Sequence, residues 1–377
     1  MELHAPTHIE SNFKVRRLGI VMRPDPTRKE EVGGVLNPAA VRGPDGELYL
    51  FPRLVGEKNY SRIGIARVLF DDEGIPVGVE RLGFALEPTE PYELRPQEGT
   101  GGCEDPRVTF VEPIGLYVMS YVAWGPRGPR VALAISENCL DWERLGLVDF
   151  QPDVEAHYGV PFNHYDNKDA AFVPDEILAP DGRVILGLFH RPVYNATNAP
   201  KGITKPVPSI WVSGCDVDAV RRNIRNLCVM NRHEVIVEPD NYWEALRIGI
   251  GTPPIRTRLG YMIVYHGVSG EHAGTAGQPN RVYYDAGVLI LRREKDRLLR
   301  YRSTTPILIP ELKEETTGVV NNVVFPTGID KRADDVYDVY YGMADQHIGV
   351  ARIQLPDTVD YEETDLLEAA RARRLKL

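Results

Sequence analysis

The run Gly99-Thr100-Gly101-Gly102-Cys103-Glu104-Asp105-Pro106-Arg107 sets two carboxylates side by side behind a glycine-rich approach that can bring backbone close to a ligand. Neighbouring strand residues point to opposite faces, so one carboxylate, Asp105, is expected to face a site and Glu104 to face away from it. Cleavage of a glycosidic bond by water needs two carboxylates, one as acid and one as base or nucleophile. An enzyme that uses phosphate as its nucleophile needs one acid and a cationic pocket. Taken alone, the run reads as a turn in which Arg107 pairs with a carboxylate.

Other polar residues recur at comparable places along the chain. Asn37, Asp105, Lys168 with Asp169, and Asn321 each stand at the start of a short apolar run, while Arg53, Trp124, Arg191 after His190, His266 and Asp345 stand at the ends of aromatic strands. Singly, each reads as a solvated face or a turn residue. Their recurrence in successive segments points to convergence on a common axis.

Five segments, beginning near Asn37, Asp105, Lys168, Gly249 and Asn321 and spaced 68, 63, 81 and 72 residues apart, supply that axis. Each opens on polar or glycine residues and a short apolar run, passes a turn into an aromatic strand, and reaches another strand after a polar interruption, as in LNPAAV, LYLFPR and SRIGIARV. The alternating strands alone fit a β-sandwich equally; the repeated order favours an all-β, five-bladed β-propeller, whose funnel gathers equivalent residues. Helical periodicity is confined to YEETDLLEAARARRLKL, where Leu366, Leu367 and Ala370 share a face, and predicts a short C-terminal helix. The expected division is an N-terminal extension at 1–35 packing on the propeller, a catalytic propeller at 36–355 and a C-terminal helical segment at 356–377.

Composition agrees. Gly and Pro make 64 of 377 residues, about 17% against an average near 12%, as many turns require. A net charge of −10 lacks the basic footprint of a nucleic-acid partner and disfavours anionic membranes. The apolar runs are too short to span a bilayer, and the first residues lack the layout of a signal peptide, so a cytoplasmic location is expected. Cys103, Cys139, Cys215 and Cys228 form no CxxC pair and read as small core residues, and no histidine or carboxylate spacing implies a metal.

The chain resembles glycoside hydrolase family 130, the inverting β-mannoside phosphorylases and related mannosidases with five-bladed propellers. LNPAAV, Glu-Asp-Pro-Arg at 104–107, NKDAAFVP at 167–174, FHRP at 189–192, WEALRIGIGTPPI at 243–255, YHGV at 265–268, VVFPTG at 323–328 and YYGMAD at 340–345 carry the resemblance from about Leu36 to Ile353. It implies that Asp105 is the general acid, passing its proton through the mannose 3-hydroxyl, while phosphate attacks the opposite face to give α-mannose 1-phosphate and a shortened sugar. It also implies that Lys168, Arg191 and His266 bind phosphate and that Asn37, Arg53 and Asp345 surround the sugar; Arg62 and Arg130 either serve the phosphate or pair with surface carboxylates. Inorganic phosphate is then a co-substrate and no cofactor is expected; the partners are a β-mannoside oligosaccharide and, as an open possibility, a second copy of the chain.

Two alternatives stand beside this reading: an inverting β-mannoside hydrolase of the same fold, and a glycan-binding propeller without catalysis. Retention of Lys168, Arg191 and His266 favours the phosphorylase, since a dianion suits fork-shaped Arg and point-charge Lys. Tyr residues of the strands read as core or wall, whereas Trp124 and Trp243 are candidates to stack on a sugar. The insertion at 194–209 has no assigned role, and linkage and acceptor remain open.

Overall fold

The apolar and aromatic runs cut by Gly, Pro and Asp-Gly turns fold as mostly antiparallel strands in a computed structural model of the protein, which describes residues 12–95, 100–152, 162–178, 183–271, 281–292 and 299–359. After β1 (Lys14–Met22), the strands β2 (Gly34–Arg42), β3 (Leu48–Val55), β4 (Tyr60–Phe70) and β5 (Pro76–Leu86) pair in chain order. A short β6 (Leu94–Arg95) leads to β7 (Thr100–Val111), β8 (Leu116–Gly125), β9 (Gly128–Ser136) and β10 (Glu143–Leu147), again in chain order. Next come β11 (Asp149–Phe150), β12 (Asp166–Leu178), β13 (Val184–Val193), β14 (Ile210–Asp216) and β15 (Val229–Val237), followed by β16 (Arg247–Gly249), β17 (Ile255–Thr257), β18 (Gly260–Glu271), β19 (Arg281–Leu291) and β20 (Leu299–Arg302). Finally β21 (Val324–Ala333), β22 (Val336–Met343) and β23 (His347–Gln354) form a sheet whose outer strand is β1.

Among the described residues the hydrogen bonding groups the strands into four sheets. The first two repeats share one nine-stranded sheet, because β4 and β7 pair in parallel at Tyr60–Gly101 and Ser61–Gly102. Glycine makes that approach feasible: a Cβ on Gly102 would lie 2.2 Å from the Ser61 carbonyl, and one on Gly101 2.3 Å from that of Trp124. The glycine-rich run therefore serves contact between strands, where the sequence pointed to a ligand.

Apolar clusters fill the spaces between successive repeats. Phe51 and Ile63 meet Met119 and Tyr121; Val118 and Leu133 meet Phe172 and Leu188; Phe189 and Val212 meet Ile263 and Leu289; Val264 and Val288 meet Val324 and Val339; and Tyr340 and Ile348 meet Val35 and Leu50. The last cluster returns to the first repeat. Each large side chain so buried contributes about 1.5–3 kcal/mol, so these seams dominate cohesion.

A polar device recurs inside the repeats. Glu93, fully buried ahead of β7, accepts from the backbone N–H of Thr89 and Glu90, from the Tyr121 hydroxyl of β8 (2.7 Å) and from Arg144 of β10 (2.9 Å). Glu244, ahead of β16, does the same with Asp240 and Asn241, Tyr265 of β18 and Arg302 of β20. Glu315, ahead of β21, uses Glu311 and Leu312, Tyr341 of β22 and Arg17 of β1. One buried carboxylate thus ties the entry turn to the second and outermost strands of its unit. Tyr121→Phe removes one charge-assisted bond, and urea unfolding should show a loss of about 1.5–3 kcal/mol.

In the third unit a chain of polar groups crosses the same strands. His233 of β15 donates from Nε2 to the Gln151 carbonyl (2.8 Å), its Nδ1 lies 2.8 Å from Ser213 Oγ of β14, and that hydroxyl lies 2.7 Å from His190 Nε2 of β13. His190 Nδ1 then accepts from Asn167 Nδ2 (3.0 Å). Burial, then the nearby His233, holds His190 well below its ordinary pKa and keeps it neutral.

All four cysteines are buried and free, as small core residues. Two short α-helices occur among the described residues, α1 (Val217–Arg222), capped by Asp216, and α2 (Lys313–Thr316); neither has a counterpart in the sequence periodicity. The helix expected around Leu366 lies outside the described residues. No described helix is long and apolar enough to cross a membrane.

Candidate active site

Three inner strands break their ladder at the same place. The register of β2 slips between Leu36 and Ala39, that of β7 between Glu104 and Arg107, and that of β12 between Lys168 and Ala171. In each bulge one residue adopts left-handed backbone: Asn37 (φ 46°), Asp105 (φ 44°) and Asp169 (φ 50°). Asn and Asp tolerate this conformation better than other side-chain-bearing residues, and a bulge re-aims the side chain it carries. Asn37, Asp105 and Asp169 are therefore equivalent, and Lys168 is the equivalent of Glu104.

The bulge overturns the expectation that Glu104 faces away. With strand alternation interrupted, both carboxylates reach Arg53: its Nη2 donates to Glu104 Oε1 (2.7 Å) and its Nη1 to Asp105 Oδ1 (3.3 Å). Asn37 Nδ2 also donates to Asp105 Oδ1 (2.9 Å). Lys168 Nζ stands 3.9 Å from Glu104 Oε2 and 4.5 Å from the centroid of the half-buried Trp124 ring. Burial alone would raise the Asp105 pKa, but Arg53, Lys168, Arg107 and the Asn37 bond outweigh it, so the carboxyl titrates below its ordinary value. Glu104 is raised instead, by burial, with Arg53 and Lys168 only partly opposing. Asp345 lies in the turn between β22 and β23, whose central residues Ala344 and Asp345 both have positive φ. Burial, with Asp105 and Glu104 adding to it against Arg53, pushes its carboxyl up to about 6.

A second cluster gathers on Asp169. Arg191 Nε donates to Asp169 Oδ2 (2.5 Å), His266 Nε2 is 3.6 Å from the same oxygen, and Arg107 Nη2 is 3.6 Å from Oδ1. Gly249 leaves the room: a Cβ there would stand 2.3 Å from Asp169 Oδ2. Lys168 and Arg191 are directly opposite across β12 and β13, and Arg107 donates to the Asp105 carbonyl (3.0 Å), so the two clusters abut. Burial outweighs Asp169 and takes His266 down to about 3, with Arg191, Arg107 and Arg247 adding to the fall; the imidazole is neutral at pH 7.

The structure thus brings together all seven residues expected at the site: Asn37, Arg53, Asp105, Lys168, Arg191, His266 and Asp345. Other candidates fall outside. Arg62 donates to the exposed Glu87 (3.2 Å) and Arg130 to Asp166 (2.8 Å), both surface pairs. Trp243 is fully buried, its indole N–H on the Thr304 carbonyl, and offers no face to a sugar. Asn321 is exposed and accepts from the Gly318 N–H. Sequence reasoning paired Arg107 with an unspecified carboxylate and named Asp169 beside Lys168; the structure makes that carboxylate Asp169, and the repeated spacing of a polar residue two positions before the resumed strand register was the signal for its place.

The described geometry sets the carboxylates of Glu104, Asp105, Asp345 and Asp169 among the cations Arg53, Lys168, Arg107 and Arg191. A model of the family described as beta-1,4-mannooligosaccharide phosphorylase matches residues 8–363. A 1,2-beta-oligomannan phosphorylase of Thermoanaerobacter sp. (strain X514) is 30% identical over 353 residues, covering 92% of this chain and 99% of that protein. A beta-1,2-mannobiose phosphorylase of the same organism is 32% identical over 262 residues, covering 69% and 68%. Among solved structures, beta-1,2-mannobiose phosphorylase from Listeria innocua in complex with beta-1,2-mannobiose superposes with a TM-score of 0.61 at 21% identity, covering 98% of this chain and 95% of that one.

Proposed function

We propose, for a chain that belongs to glycoside hydrolase family 130, that it is an inverting phosphorylase of β-mannosides. A phosphate oxygen attacks the anomeric carbon of the terminal mannosyl unit from the Lys168–Arg191 side while the bond to the glycosidic oxygen breaks. The leaving oxygen takes the proton of Asp105, directly or through a sugar hydroxyl, and the products are α-mannose 1-phosphate and a sugar shorter by one residue. Asn37 and Arg53, which already hold the Asp105 carboxylate, and Asp345 surround the mannosyl unit.

The observation that carries this reading is the abutment of the Asp105 cluster with Lys168, Arg191 and His266. Phosphate arrives ionised, so the reaction asks for no base, and we assign it no cofactor. The names of the two Thermoanaerobacter relatives support β-1,2-linked mannosides as the first substrates to test. The five-bladed propeller is supported by the five seams that return to the first repeat and by the recurring buried glutamates. On that reading the catalytic unit spans 36–355, with flanking segments at 1–35 and 356–377.

The test is cleavage of β-1,2- and β-1,4-mannobiose with and without phosphate, reading mannose 1-phosphate against free mannose. Phosphate-independent release of mannose would make the enzyme a hydrolase, and absence of turnover would leave a glycan-binding protein. Lys168→Ala and Arg191→Ala should each raise the KM for phosphate about ten- to a hundredfold, the loss of one charge-assisted partner, with a smaller change in mannose affinity by calorimetry.

A further inference from the structure

At the end of the strands away from Asp105, a groove of about 750 Å³ lies between the second unit and the third. Ile114 after β7, Ile135 of β9 and Trp142 before β10 line it from the second unit, and Val220 of α1 and Ile224 line it from the third. Leu116, which opens β8, borders the groove, whereas Trp124 near the other end of that strand lies beside Lys168. At strand rise the groove and the candidate active site are therefore about 26 Å apart.

The rim is acidic. Glu137, Asp141 and Glu143 are exposed along it, and among the described residues none of the three has a cation within ion-pair distance. Arg221, the cation of the lining, already faces Glu176 (2.9 Å) and Asp218 (3.5 Å). An apolar floor under three unpaired carboxylates suits an occupant that carries cations next to apolar side chains.

The chain itself supplies such a segment. Its last seven residues, RARRLKL, hold Arg371, Arg373, Arg374 and Lys376 beside Leu375 and Leu377, with no acidic side chain among them. The described chain ends at the same face: Val359 packs with Leu259 and Ile255, and Arg258 donates to the carbonyls of Pro356 and Asp357. Two residues before Arg258, Arg256 donates to both carboxylate oxygens of Glu112 (2.6 and 2.7 Å), the neighbour of Pro113 in the groove lining. The gap from Asp357 to the groove is thus two arginine side chains and a step of at most about 7 Å along the backbone. The stretch 360–377 covers about 27 Å as a helix and about 60 Å extended, enough to cross that gap in either form.

We propose that the basic end of this chain, residues 371–377, docks in the groove of the same molecule, with Leu375 and Leu377 on its apolar floor and the cations against Glu137, Asp141 and Glu143. The docked segment straps β10 of the second unit to α1 of the third from the face opposite the candidate active site. The inference is independent of the phosphorylase reading.

The test uses the full chain. Lys376 is the single lysine of 360–377, so a zero-length carbodiimide, which condenses an amine with a carboxylate it touches, should join it to Glu137, Asp141 or Glu143. Mixing isotope-labelled with unlabelled protein before the reaction shows by mass spectrometry whether each link lies within one copy. Trypsin cleavage after Arg371, Arg373 or Arg374 gives a second readout. E137Q/D141N/E143Q should lose the segment roughly three- to a hundredfold faster than the wild type, because three individually weak ion pairs act together, and salt at about 0.5 M should narrow the difference. Links from Lys376 confined to other carboxylates, or equal cleavage of the two proteins, overturn the proposal. Links between labelled and unlabelled chains overturn it as well, by seating a second copy's segment in the groove.

Discussion

Asp105→Asn should abolish most turnover in both directions, by about 10²–10⁴-fold, while the protein stays folded. Asn keeps an oxygen to accept from Asn37 and Arg53 but has no proton to give to a glycosidic oxygen. In the unliganded protein Arg53, Lys168, Arg107 and Asn37 together overcome burial and keep Asp105 ionised at neutral pH. Phosphate bound beside Lys168 and Arg191 would offset that positive field and raise the Asp105 pKa, so proton uptake should accompany binding. Its measurement is the phosphate-binding enthalpy in buffers of different ionisation enthalpy. The sign for stability is opposite: because the folded pKa is depressed, the ionised carboxylate favours the fold above its ordinary value of 3.8 and this contribution disappears as pH falls through the lowered one. Near wild-type rates in Asp105→Asn would place the acid elsewhere.

Asp169→Ala should cost about 3–5 kcal/mol of folding stability, the penalty for removing one partner of a buried ion pair. Asp169 is the carboxylate that both Arg191 and Arg107 face, and the remaining bonds of Arg107 go to the carbonyls of Gly251, Asp105 and Ile250. Without it, two guanidinium groups share a buried space with no carboxylate between them. Inorganic phosphate should restore part of the loss, since an anion that binds only the folded state stabilises it by mass action. Guanidinium chloride or thermal unfolding with and without phosphate checks both halves. A variant as stable as the wild type would show that the cations are neutralised by another group.

The β-class and the repeat starts were legible because apolar runs punctuated by Gly and Pro are local properties of a chain. Asn37 and Asp105 stood out as polar residues interrupting such runs, and Arg53, Arg191, His266 and Asp345 as polar ends of aromatic strands. What local pattern hid was the bulge. Simple alternation sends Glu104 away from Asp105, and only the left-handed backbone at Asp105 lets both meet Arg53. The same shift makes Asp169, not Lys168, the counterpart of Asp105. Counter-ions across sheets are invisible for a related reason: Arg107 and Asp169 are 62 residues apart in sequence, and their pairing depends on how two repeats abut. Trp124 and Trp243 looked interchangeable; burial, a property of the assembled seams, separates them.

Strand β1 finds its hydrogen-bonding partner at the far end of the chain, with Lys14 opposite Gln354 and Met22 opposite Ile348. At about 5–20 residues per second, a ribosome needs on the order of 20–70 s to deliver β23 after β1 has emerged. Until then β1 has no sheet to join, and the seam between Tyr340, Ile348, Val35 and Leu50 has only the wall supplied by Val35 and Leu50. Completion of this sheet therefore waits on β23 and on one very long loop closure. The sequence of the waiting strand, KVRRLGIVM, suits the delay: Lys14, Arg16 and Arg17 put charge along an edge that would otherwise recruit another nascent chain.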